Sequence, residues 1–167
     1  MPDSSPIPAL SDWQLHTAHR SQDVQLRALF AQVFGHVMSQ QEWDWKYQCT
    51  DLRGSLLTKS STAEVVAFFG GMPRTFSHQG HNIQAVQNGD VMVRPQERGV
   101  FSRKGAFYQV AHHFICQHLG VQAAYAFAFG FPGPRAFRLG VKLGLYRQAG
   151  CLQQLRWTAQ PAPWQRL

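Results

Sequence analysis

Apolar residues at Leu26, Leu29, Phe30, Val33, Phe34 and Val37 recur at i, i+3, i+4, i+7, i+8 and i+11, the spacing of one helical face. Ser21 or Asp23 can cap the start of this helix, and Gly35 marks its end. A short second helix is predicted at 42–47, where Trp43 and Tyr47 share a face. From Gly54 the pattern changes to the short β-prone runs 55–58, 65–70 and 83–93, separated by polar or glycine-bearing turns such as 77–80. These read as successive antiparallel strands. A helical face returns with Phe107, Val110, Ala111, Phe114, Ile115 and His118. Residues 125–131 then alternate Tyr125, Phe127, Phe129 and Phe131 with alanine or glycine, a strand with one aromatic and one nearly bare face. Pro134 opens a last helix with Phe137, Val141 and Gly144 on its face, and Gly144 ends it. A final strand or hairpin is expected through 155–157. The predicted order is β, α, α, β, β, β, α, β, α, β.

The 167 residues, 44% hydrophobic, fit one ordinary α/β domain at 12–157, between a Pro-rich extension at 1–11 and a Pro-rich tail or linker at 158–167. Sixteen basic against nine acidic residues leave a net charge of +7, which suits a polyanionic partner: nucleic acid, anionic lipid or a phosphorylated cofactor. Cys49, Cys116 and Cys151 form neither a disulfide framework nor a zinc ribbon, so a reducing cytoplasm is expected. No apolar run reaches the roughly 18 residues of a membrane span.

The stretch Asp90-Val-Met-Val-Arg-Pro-Gln-Glu-Arg-Gly-Val-Phe-Ser-Arg-Lys-Gly-Ala-Phe107 concentrates the candidate chemistry. It ends a strand at Val91 and Val93, crowds Arg94, Arg98, Arg103 and Lys104 into a turn, and then opens a helix. Gly99 and Gly105 permit close backbone approach. Free N–H groups at a helix start, the helix dipole and guanidinium groups together make a phosphate site. On this segment alone a solvated basic turn is an equal alternative. His112, His113, Cys116 and His118 spread over more than one helical face, so no metal site is expected. Trp43, Trp45 and Trp157 are read as core or groove walls, and Trp164 as a docking residue of the tail.

Strand, Val-x-Pro-x-x-Arg-Gly, helix, strand, then a Pro-opened helix ending in Lys-Leu-Gly resembles the GNAT superfamily of acyl-CoA-dependent N-acyltransferases. The matching pieces are 90–99, Phe129-Gly-Phe-Pro-Gly-Pro-Arg135, Lys142-Leu-Gly144 and Trp43-Asp-Trp-Lys-Tyr47. The resemblance implies an α/β fold with a mixed, mostly antiparallel sheet, helices on both faces and a splayed parallel strand pair. It implies direct transfer of an acetyl or other short acyl group from acyl-CoA to an amine, with no metal. Met92 and Val93 would bind the pantetheine arm, and Arg98, Gly99, Arg103, Lys104, Gly105 and Ala106 the diphosphate. Asp90 would accept the amine proton.

The chain departs from the family pattern at three places. Counted from Gln96, Gly99 matches the loop motif, but Phe101 stands where its last glycine belongs; an insertion of 100–103 restores the match at Lys104-Gly105. Gly140 occupies the place of the thiolate-protonating tyrosine, for which Tyr146 is the nearest substitute. Gly133 replaces an asparagine. Asn88-Gly89 is either a hairpin turn or a strand bulge, and the resemblance favours the bulge. A non-catalytic acyl-CoA-binding module and, less favoured, a basic nucleic-acid-binding domain are the alternatives. A homodimer or a further C-terminal domain stays open.

Overall fold

The structure, a computed structural model, describes residues 12–47 and 50–157. The Pro-rich ends, Cys49 and Trp164 lie outside the described residues. The described elements are strand β1 (Trp13–His19), helices α1 (Asp23–Phe34) and α2 (Gln40–Tyr47), strands β2 (Leu52–Lys59), β3 (Val65–His78) and β4 (His81–Val93), helix α3 (Ala106–His118), strand β5 (Phe127–Phe129) and helix α4 (Pro134–Lys142). The strands lie side by side in chain order. β1 to β4 are antiparallel, and β5 joins β4 in parallel, so the sheet is mixed and mostly antiparallel as expected.

The period-2 alternation of β3 builds two cores. Phe68, with Leu56, Met72 and Met92, packs against Leu26, Leu29 and Phe30 of α1 and Trp43 and Tyr47 of α2. Phe69, with Leu57, Val66 and Val86, packs against Val110, Ala111 and Phe114 of α3. Neighbouring residues thus feed opposite faces, and both faces are covered by helices.

Several boundaries differ from the sequence expectation. α1 is capped by neither Ser21 nor Asp23: Gln22 is the cap residue, and the Asp23 carboxylate is drawn instead into a buried pair with Arg53 at 2.8 Å. The helix stops at Gly35, whose φ of 76° places it in the left-handed region, so Val37 falls outside and is exposed. α2 starts two residues early because Ser39 and Glu42 form a reciprocal capping box, Ser39 N–H to Glu42 at 2.8 Å and Glu42 N–H to Ser39 Oγ at 3.1 Å. β3 runs on to His78, and the long β3–β4 hairpin turns at Gln79 and Gly80, both with positive φ.

The expected strand at 125–131 shrinks to β5. Tyr125 goes into the α3-side core, and the ladder with β4 ends at the pair Gln87 and Phe129. Pro132 and Pro134 follow, which cannot donate to a ladder. On α4, Gly140 is buried and Val141 is 46% exposed, so Val141 lies off the packed face. Residues 151–157 form no strand; Leu152, Leu155 and Trp157 are exposed, as is Trp45, so of the three predicted wall tryptophans only Trp43 is buried.

Candidate active site

Asn88-Gly89 is not a hairpin turn, because β4 passes straight through it. The pairing with β3 jumps from Gly70 opposite Gly89 to Phe68 opposite Met92, which leaves Asp90 and Val91 facing Phe69 alone. This is a bulge. Asp90 adopts φ of 51°, a left-handed conformation that few non-glycine residues take. Its side chain is thereby turned onto the α2 face, where Lys46 Nζ donates to Oδ1 and the Tyr47 hydroxyl to Oδ2, each at 2.7 Å. Burial, and next the Asp90 charge, hold the Tyr47 phenol well above its ordinary range, so it stays a donor.

Beyond the bulge the strands part. Arg94 N–H donates to Val66 O on β3, and backbone groups alternate along a strand, so those of Met92 also face β3 while those of Val91 and Val93 face the open side next to β5. The Met92 side chain is in the core. Gly130, one residue past the ladder, comes so close to the Asn88 carbonyl that a Cβ would sit 3.2 Å from it. The Asn88 side-chain oxygen is buried there without a hydrogen-bond partner.

The basic turn is sorted by its acids. Arg94 pairs with Glu64, and Lys59 pairs with Glu97 at 2.8 Å. Arg98, Arg103 and Lys104 have no acidic partner among the described residues. Arg98 Nε donates to Val93 O at 2.8 Å, which holds its guanidinium at the mouth of the strand gap. Residues 100–105 curl back on themselves: Gly105 N–H meets Ser102 O at 3.0 Å, and a Cβ on Gly105 would stand 2.0 Å from Val100 O. Only glycine fits. Gly105 is also the cap residue of α3 and offers no side chain, so the N–H groups of Ala106, Phe107 and Tyr108 begin the helix uncapped. Gly99, with φ of 105°, has nothing within 4 Å of its Cβ position.

On α4, Gly140 gives room to Tyr146. A Cβ at 140 would lie 2.1 Å from the tyrosine ring, and both Leu145 N–H and Tyr146 N–H bond Gly140 O. Tyr146 also meets Phe107 of α3 edge-on at 6.1 Å. Burial pushes its phenol up to about 12.

The chain thus has a bulged strand, a parallel neighbour whose ladder with it ends just short of the bulge, and an uncapped helix behind a basic turn. No protein-family model and no curated protein matches the sequence. Solved structures do match. An acetyltransferase from Trypanosoma brucei superposes with a TM-score of 0.64 over 87% of this chain and all of its own, at 15% identity. The chain has the GNAT fold. AAC(6')-Iy, solved with a CoA bisubstrate analog, superposes at 0.62 over 89% and 100% with 12% identity, and Arabidopsis thaliana glucosamine-6-phosphate N-acetyltransferase at 0.60 over 88% and 99% with 10% identity. The chain spans only 26% of Saccharomyces cerevisiae N-myristoyltransferase and 31% of a probable N-acyltransferase from Enterococcus faecalis.

In this GNAT fold Asp90 stands at the bulge on the α2 side, Val93, Arg98 and Gly105 lie around the basic turn, and Tyr146 packs on the α3 side. Lys46 and Asn88 escaped sequence reasoning. Lys46 carries no local signal, because its partner lies 44 residues away, and Asn88 resembles any turn asparagine until the bulge is seen. No group of three or more potential metal ligands occurs among the described residues; His113 instead bonds Ser55 Oγ at 2.8 Å.

Proposed function

We propose that the chain transfers an acetyl or other short acyl group from acyl-CoA directly to an amine. The observation that carries this reading is the β4–β5 ladder that stops at Gln87 and Phe129 while β4 runs on to a turn where Arg98, Arg103 and Lys104 have no acidic partners among the described residues. These cations and the uncapped N–H groups from Ala106 onward hold the diphosphate, and Gly99, with open space at its Cβ position, lets the ligand come close to backbone. Val93 and Val91 offer backbone groups to the pantetheine amides, and Asn88 an unused acceptor.

The amine nitrogen attacks the thioester carbon, a C–N bond forms, and the C–S bond breaks with its electron pair on sulfur. Asp90 stands beside this centre. A carboxylate has about four acceptor positions, of which Lys46 and Tyr47 engage two, so Asp90 retains capacity for the amine proton. Tyr146 keeps its own proton at neutral pH and serves the leaving sulfur as a hydrogen-bond donor.

Titration calorimetry with acetyl-CoA tests the reading. Arg98→Ala is expected to weaken binding by about 10-fold, the loss of one charge-assisted hydrogen bond, and added salt to weaken the native chain further. Absence of binding at millimolar acetyl-CoA would overturn it. A second reading, a non-catalytic acyl-CoA-binding module, is favoured by one observation: both oxygens of Asp90 already hold structural partners, the Lys46 ammonium and the Tyr47 hydroxyl. Turnover that Asp90→Asn abolishes rejects this second reading.

A further inference from the structure

Four phenylalanine rings meet beyond the bulge. Phe76 of β3 lies 5.4 Å from Phe127 and 5.5 Å from Phe129 of β5, and Phe129 lies 6.1 Å from Phe131. The contacts are tilted or edge-to-face, which leaves ring faces open for another aromatic group. Phe76 and Phe127 are each 40% exposed and Phe131 is 60% exposed. Phe127 and Phe129 stand opposite Ala85 and Gln87, and Phe76 opposite Ile83, so the strand alternation that puts Phe68 and Met72 on the α1–α2 face puts these rings there too. Asp90 reaches Lys46 and Tyr47 on that same face. The shelf and the bulge are therefore continuous.

Arg74 stands beside the shelf on the same face, level with Phe127. It is exposed, bonds Gln87 Oε1 at 3.1 Å and Pro73 O at 2.9 Å, and has no acidic partner among the described residues. Phe76, Arg74 and Met72 follow one another on this face at intervals of about 7 Å, the repeat of alternate strand residues. An apolar platform, a cation beside it whose guanidinium leans toward Gln87 and Met72, and the bulge carboxylate further along the same face match an aromatic ring, a carboxylate and an amine.

We propose that the acceptor is a free aromatic α-amino acid, its ring on the shelf of Phe76, Phe127 and Phe129, its carboxylate on Arg74 and its α-amine turned toward Asp90. The assignment rests on the acyl-transfer reading only for what happens to the amine; the binding itself does not need turnover.

The full chain, saturated with CoA, is titrated calorimetrically with L-phenylalanine, 2-phenylethylamine and L-alanine, and the same amines are assayed for CoA release from acetyl-CoA. L-Phenylalanine is expected to bind about 10-fold or more tighter than either analogue, since one lacks the carboxylate and the other the ring. Arg74→Gln should erase the advantage over 2-phenylethylamine, and Phe129→Ala the advantage over L-alanine, with the thermal shift given by CoA unchanged in both. Equal affinity for the three amines, or variants without effect on it, would overturn the proposal. So would a dimer that Phe76→Ala dissociates without changing amine affinity, because the shelf would then belong to a second copy. Binding of L-phenylalanine without CoA release supports the acceptor site while sinking catalysis; failure of CoA itself to bind sinks only the cofactor reading.

Discussion

Asp90 shows how one residue joins conformation to chemistry. Its left-handed backbone exists because the bulge needs it, and the same conformation delivers the carboxylate to Lys46 and Tyr47. With its side chain 7% exposed and that of Lys46 21% exposed, the pair is largely withdrawn from water. Asp90→Asn keeps a residue that tolerates this φ but leaves the ammonium unpaired, and is expected to cost about 2–3 kcal/mol in urea unfolding. Lys46→Met combined with it should cost less than the two single losses added together. Two histidines set a pH dependence. Burial is the main cause that lowers the pKa of both His113 and His118 from the ordinary 6.5. The unfolded chain then binds more protons than the folded one as pH drops below about 6.5, so stability is full above that pH and declines beneath it. Unfolding midpoints across pH 5 to 8 are expected to show this slope, and His113→Gln to reduce it.

Among the elements, those with their own periodicity were legible in sequence. α3 appears where Phe107, Val110, Ala111 and Phe114 predict it, and the three inner strands appear in the right order. The capping box of Ser39 and Glu42 was also readable as a serine followed three residues later by glutamate. β5 was overextended because alternation alone does not say how far a partner strand stays within reach. Arg98, Lys104 and Gly105 could be picked out by type, but the acid that removes Arg94 from the set, Glu64, is brought to it by folding. The loop makes a sharp expectation. In Gly105→Ala the new methyl would meet the Val100 carbonyl, so the turn must open. Acetyl-CoA affinity should fall by about 10-fold or more while the far-UV circular dichroism of the helices stays unchanged.

At the scale of the molecule, two clusters lie on opposite faces of one sheet, and a buried arginine fastens the α1–α2 side to it. Arg53 of β2 binds Asp23 at the start of α1 and the backbone carbonyl of Tyr47 at the end of α2, so the first two helices are clamped to the strand that follows them. The candidate site depends on that arrangement: α2 brings Lys46 to the bulge, and α3 brings its open N-terminus to the end of β4. The 155–157 segment, predicted as a strand or hairpin, has no ladder partner among the described residues, and a strand exists only where another edge supplies its hydrogen bonds.

The amino-acid sequence by itself determined the helical faces, the strand alternation, the glycine that ends α1 and the basic, glycine-bearing turn before α3. Those are local properties, decided by side-chain period, capping and allowed φ. The tertiary structure alone decided that Asp90 is a bulge residue paired with Lys46, that Arg94 is neutralised while Arg98 is not, and that Tyr146 fills the space left by Gly140. Each of these joins residues from different elements, or turns on a backbone shape that only the neighbouring strand imposes, and no local pattern encodes such a distance.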